Sequence, residues 1–208
     1  MTDAKNGGKS DNRISIRLGL YFGAFVLLAA VLILFFLRGR SGDSSADQPP
    51  ILGQVPEFRF VTQSNIPFGR AELLGKTSVV CFFFTRCHSI CPVMSTKMAE
   101  LYREYEDRPE IQFVSINVDP DNDSLPVLRQ YAASFGVNDD RWLFLRGPLS
   151  EVADLSEKGF LLAADNLPAD HSSRFVLVDS QARIRGYYDP FSDSSLIELM
   201  AAIRKISP

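Results

Sequence analysis

The chain has 208 residues, 46% hydrophobic and 23% charged, which is enough apolar material for one substantial core once its N-terminal segment is set aside. Residues 1–40 take six of the 22 basic and two of the 25 acidic residues, so the remainder keeps 16 and 23, a net charge of −7. That sign argues against a nucleic-acid role and suits a basic partner or metal traffic.

Leu18 to Leu37 is a run of 20 uncharged residues bounded by Arg17 and Arg38. A helix of that length spans the roughly 30 Å hydrocarbon layer, whereas the apolar region of a cleaved signal peptide covers only about 7–15 residues. Lys5, Lys9, Arg13 and Arg17 precede the run, while Arg38 and Arg40 soon give way to Asp43 and Asp47. The charge bias predicts an inside tail over 1–17, one transmembrane helix over 18–37 and an outside domain. Asp3 and Asp11, with no Arg- and Ser-rich character, favour a single-pass bacterial inner-membrane protein facing the periplasm over an organellar one. Residues 38–50, ending in SGDSSADQPP, read as a flexible tether, and the folded domain is expected over 51–208.

Within that domain, Glu57–Thr62 is strand-like and Ser78–Phe84 is a short apolar strand. Met94, Met98, Leu101, Tyr102 and Tyr105 recur at helical spacing. Ile111–Val118 is the next strand, Leu125–Phe135 a helix, Trp142–Leu145 a strand and Ser150–Phe160 a helix. Arg174–Asp179 and Ala182–Tyr188 form a strand pair turned at Ser180 and Gln181, and Ser194–Ile203 closes the chain as a helix. Buried strands alternating with helices predict an α/β fold with a central sheet covered on both faces, made mixed by the final hairpin. Trp142, Tyr187 and Tyr188 fit core packing better than a partner surface.

The chemistry concentrates in FFFTRCHSICPVM, where Cys87 and Cys91 lie between the second strand and the first helix. Pro92 suits a first helical turn and biases Cys91 away from the α region, so the helix is expected to start at about Cys91. Both sulfurs then sit near the positive end of a helix, which lowers a thiol's pKa toward the thiolate that binds metal and attacks disulfides. Three intervening residues give more slack than the two of a thioredoxin-type dithiol loop, and spacing alone leaves metal and disulfide roles comparable. Cys81, inside VVCFFF, reads as a buried core cysteine.

The set TRCHSICP, SINVDPDND and DHSSRFVLVD resembles the Sco/SenC family of membrane-anchored, thioredoxin-fold proteins that assemble the copper centre of cytochrome c oxidase. The resemblance covers roughly 54–205 and implies copper, as Cu(I) or Cu(II), on Cys87, Cys91 and His171. It also implies a partner: the oxidase subunit carrying the dinuclear copper centre, with other copper carriers possible. Two thiolates and an imidazole suit copper in either oxidation state, and three ligands leave a position open for transfer, where structural zinc normally takes four.

Three further side chains are candidates to support the ligands. Asp170 either orients the His171 ring or serves the turn of its loop. Asp119 echoes a family aspartate near the metal loop, although Asp119-Pro120 also makes a turn and Asp123 is placed to cap the next helix. His88 is a departure, since the family usually has proline and an acidic residue at the positions of His88 and Ser89, and a small residue where this chain has Phe83 and Phe84. It is a fourth ligand, a cation beside a thiolate, or a solvent-facing residue. The expected function is a membrane-anchored copper chaperone for oxidase assembly. The alternative is a thiol-disulfide oxidoreductase using Cys87 and Cys91 as a redox dithiol without His171, and a thiol peroxidase is disfavoured because its motif is lacking.

Overall fold

The structure is a computed structural model that describes residues 26–29, 31–33, 48–164, 166–169 and 171–207. The chain divides into two compact units, Met1–Ala46 and Asp47–Pro208. In the first, residues 26–29 and 31–33 are helical, and the rest of the expected 18–37 span and the 1–17 tail lie outside the described residues. Among the described residues no helix is long and apolar enough to cross a membrane.

The second unit is an eight-stranded mixed sheet. Its strands are β1 (Gly53–Gln54), β2 (Arg59–Thr62), β3 (Pro67–Gly69), β4 (Thr77–Phe83), β5 (Ile111–Asn117), β6 (Trp142–Arg146), β7 (Phe175–Val178) and β8 (Arg183–Tyr188), in the spatial order β1-β8-β7-β4-β5-β6-β2-β3. The central β4, β5 and β6 run parallel, in register from Thr77 opposite Ile111 to Phe83 opposite Asn117, and the outer pairings are antiparallel. Among the described residues of this unit the α-helices are α1 (Ile90–Glu104), α2 (Leu125–Ser134), α3 (Leu149–Asp154) and α4 (Asp193–Ile206).

Alternation along β4 divides the core in two, as a central strand covered on both faces requires. Val79, Cys81 and Phe83 meet Met94 and Met98 of α1, Leu128 of α2 and Leu199 of α4. Val80 and Phe82 point the other way, toward Val114, Val152, Phe160 and Ile184. Cys81 is the core cysteine expected: burial pushes its thiol up to about 12, and it neighbours Ser115, whose oxygen also accepts the Trp142 indole N–H. Trp142 is fully buried, and the Tyr187 hydroxyl donates to the Phe160 carbonyl.

Several boundaries differ from the sequence expectations. Glu57 and Phe58 lie outside β2, which pairs with the unforeseen β3. The helix expected over Ser150–Phe160 is α3 followed by a π-turn, Leu155–Gly159, where a methyl group on Gly159 would press on Leu155 and Pro56. Gln48 and Pro49, assigned to the tether by composition, already accept hydrogen bonds from Arg185. Arg185 is itself buried and paired with the buried Asp179 at 2.7 Å, which anchors the start of the unit to β8.

Candidate metal centre

Helix α1 begins one residue earlier than Pro92 implied. Ser89 is its N-cap, so Cys91 is the second helical residue and Pro92 the third. Pro92 is tolerated there because first-turn amides have no intrahelical acceptor to lose. The Cys91 amide is one of those orphan donors. The Ser89 side chain makes no cap bond, and the amide instead donates to Cys87 Sγ at 3.4 Å. A sulfur thus takes the place of a capping oxygen, at the end of the helix where negative charge is favoured.

This arrangement differentiates the two thiols. Burial pushes Cys87 up, but the Cys91 and Ser89 amides and the Ser89 hydroxyl, 3.6 Å from the sulfur, outweigh it and bring the thiol down to about 7. Cys91 is fully buried, and burial with the neighbouring Cys87 sulfur pushes it up to about 12 despite a bond from the Phe84 backbone. Near neutral pH the pair is one thiolate in part and one thiol.

His171 lies 80 residues away in sequence, and its Nε2 stands 3.4 Å from Cys91 Sγ. Burial lowers its pKa, against the opposing pull of the Ser172 carbonyl, which favours the neutral ring. Nδ1 is 3.1 Å from that carbonyl, which can only accept, so Nδ1 carries the hydrogen and Nε2 presents its lone pair to the sulfur. A carbonyl-held imidazole of this tautomer is the arrangement that presents a histidine to a metal. Phe84, one of the departures from the family pattern, packs edge-on against the ring at 5.6 Å.

The chemistry of these donors fits a soft ion: two sulfurs, one already ionising near pH 7, and a neutral imidazole nitrogen. All three cysteines of the chain are free. Among the described residues no three His, Cys, Asp or Glu side chains are gathered as a finished ligand set. The Cys91–His171 contact is made, and Cys87 is held beside it on the Cys91 amide. Were a metal bound here, Cys91 would have to give up its proton, because a coordinating thiol must deprotonate.

The remaining candidates divide. His88 is exposed, with its ring in none of the bonds that hold the cysteines. Asp170 lies outside the described residues. Asp119 is buried and pairs with Arg86, the residue before Cys87, at 2.9 Å. Asp123 does not cap α2, whose N-cap is Ser124. Its carboxylate accepts instead from the Thr85 amide and hydroxyl and from Asn117 Nδ2. Thr85 and the Ser172 carbonyl were not singled out in the sequence, and Ser89 was noted there only as a departure from the family pattern. Thr85 and Ser89 sit inside the cysteine motif and Ser172 follows His171, but short polar residues at such positions carry no signal of their own.

The SCO1/SenC family model matches residues 47–207. The chain belongs to the SCO1/SenC family. A SCO1/SenC family lipoprotein from Bacillus anthracis is 28% identical, with a TM-score of 0.71 over 78% of this chain and 99% of the other. BsSco, a member of the Sco family of cytochrome c oxidase assembly proteins in which a disulfide switch is identified, is 26% identical, with a TM-score of 0.69 over 76% and 96%. Yeast Sco1 with copper bound is 25% identical, with a TM-score of 0.59 over 74% and 90%. The mixed sheet flanked by helices is therefore the thioredoxin-like fold of Sco proteins, as the resemblance implied.

Proposed function

We propose that this Sco protein is a membrane-anchored copper chaperone that carries copper on Cys87, Cys91 and His171 and delivers it to the dinuclear copper centre of a terminal oxidase. The observation that carries the reading is the 3.4 Å approach of Cys91 Sγ to a His171 Nε2 whose lone pair is freed by the Ser172 carbonyl. A neutral imidazole with its lone pair on a buried sulfur supplies the third donor that a soft metal site takes and a simple dithiol does not require. Copper bound in yeast Sco1 and the oxidase-assembly role of BsSco support the cargo and the destination. The uncharged Leu18–Leu37 run and the lipoprotein character of the Bacillus anthracis relative support an anchor, with the domain in the periplasm of a bacterium.

The test is an anaerobic titration of the full-length chain with Cu(I) and Cu(II) beside His171→Ala. One equivalent bound, with a thiolate-to-Cu(II) charge-transfer band that the variant loses, is expected. Undiminished binding in the variant overturns the ligand set.

One observation favours a second reading. Cys87 is free, ionises at about 7 and lies against the Cys91 amide, which suits a dithiol that attacks a disulfide. The oxidoreductase reading predicts that His171→Ala leaves thiol–disulfide exchange and cellular function intact.

A further inference from the structure

The approach to Cys87 is held from below by a loop on a different strand. Residues 118–123 follow β5, and Asn117, Asp119 and Asp123 are all buried. Asp123 Oδ2 accepts from the Thr85 amide at 2.9 Å and from Asn117 Nδ2 at 2.6 Å, while Oδ1 accepts from the Thr85 hydroxyl. Asp119 Oδ2 holds the Arg86 guanidinium, and its Oδ1 accepts from Asn122 Nδ2 at 2.7 Å. Arg146 of β6 braces the loop from outside, donating to the Pro120 and Asp123 carbonyls at 2.8 and 3.2 Å.

Every residue between β4 and Cys87 is thus fixed, with Phe84 on the His171 ring, Thr85 on Asp123 and Arg86 on Asp119. Cys87 packs at the edge of the core, and its own hydrogen bonds are weak and local: its N–H donates to the Phe84 carbonyl at 3.4 Å and its sulfur meets Ser89 and the Cys91 amide. The strongest polar contacts on this stretch of chain are those of the two residues before it. A fully buried carboxylate with three donors is an expensive way to hold a surface turn, and it is aimed at the residue two before the sulfur.

We propose that Asp123, through Thr85, is the positioning residue for Cys87, with Asp119 as its second point of attachment through Arg86. The bracket holds the sulfur on the Cys91 amide, so it stabilises the reduced, ion-ready dithiol over the disulfide. Closing the disulfide joins Cys87 and Cys91 sulfurs directly, releases two protons and passes two electrons to an oxidant such as oxidised glutathione, which leaves as two thiols. That product no longer needs the sulfur on the amide, so loosening the bracket favours it.

The copper half of this inference rests on the chaperone reading; the redox half does not. The full-length chain is compared as wild type, Asp123→Asn, Asp123→Ala, Thr85→Val and Thr85→Ser. Two quantities are read: Cu(I) affinity by chelator competition, and the equilibrium constant of the Cys87–Cys91 disulfide in glutathione buffers. Loss of outer support to a metal ligand commonly costs about 10–100-fold in affinity. Asp123→Ala is expected to lose about tenfold or more in Cu(I) affinity and to shift the glutathione equilibrium several-fold toward disulfide. Thr85→Val, which keeps shape and loses only the hydroxyl, is expected to follow in the same direction, and Thr85→Ser to stay near wild type. A purely structural role would lower unfolding stability and leave both constants unmoved. Thr85→Val and Asp123→Asn within twofold of wild type on both measures overturn the proposal, even if Asp123→Ala fails to fold. A wild type that takes no copper, with variants that still show the glutathione shift, overturns the chaperone reading and leaves the bracket standing.

Discussion

Replacing Ser89 by alanine tests how the loop sets the acidity of Cys87. Burial alone would carry this thiol above the ordinary value of 9.0, and the Cys91 amide, the Ser89 amide and the Ser89 hydroxyl bring it to about 7 instead. At pH 7 about half of Cys87 is then thiolate, against about 1% for an unperturbed thiol. A hydrogen bond to a charged group contributes about 1.5–3 kcal/mol, and one pKa unit corresponds to about 1.4 kcal/mol. The hydroxyl lies 3.6 Å from the sulfur and is solvent-accessible, so its removal should raise the thiol by about one unit, the low end of that range. Thiolate at pH 7 falls to about one tenth, roughly fivefold, but a more basic thiolate is about threefold more nucleophilic, so the reaction rate drops only about twofold. The discriminating quantity is the midpoint of the pH profile. Iodoacetamide labelling of the metal-free chain, followed by mass spectrometry, isolates Cys87 because burial holds Cys81 and Cys91 at about 12. A midpoint near 7 in wild type and near 8 in Ser89→Ala is expected. A wild-type midpoint near 9, or the same midpoint in both, refutes the reasoning.

Other consequences follow from named contacts. Asp179→Ala leaves the buried Arg185 without its carboxylate and should cost about 3–5 kcal/mol in urea unfolding. A loss below about 1 kcal/mol would show that Arg185 is satisfied by Gln48 and Pro49 alone. Gly147→Ala drives a methyl group into the Phe60 ring and should destabilise by about 1–3 kcal/mol, measured in the same way. His171, lowered by burial, favours its neutral form in the folded state. Its contribution is therefore fully present above the ordinary histidine value of 6.5 and is lost as pH falls below it. Unfolding of the metal-free chain between pH 7.5 and 5 should show a loss that His171→Gln makes smaller, and an identical pH dependence in the two would contradict this.

The sheet was legible where apolar alternation was strong, as in β4, β5 and the β7–β8 hairpin. The short edge strands were not, because Gly53–Gln54 and Pro67–Gly69 are too brief for any periodicity and form by pairing with Ile184 and Phe60. At the site, cysteine spacing identified the loop and the family resemblance supplied His171. What held them was hidden. The Thr85–Asp123 bond joins residues 38 apart, and Asp123 looked like a helix cap because that is what an aspartate before Leu125-Pro126 ordinarily is. Helix α1 starts at Ile90, beside the expected Cys91, because a proline in the first turn is compatible with several positions, all of whose amides lack partners. Phe84, a departure from the family pattern in sequence, is a ring packed on His171 in space.

X-ray absorption at the copper edge of the loaded full-length chain tests the central claim most directly. Two sulfurs and one imidazole nitrogen at bonding distance are predicted, with the imidazole signal lost in His171→Ala. A site of oxygen and nitrogen alone, or one with its imidazole intact in that variant, would contradict the assignment of Cys87, Cys91 and His171.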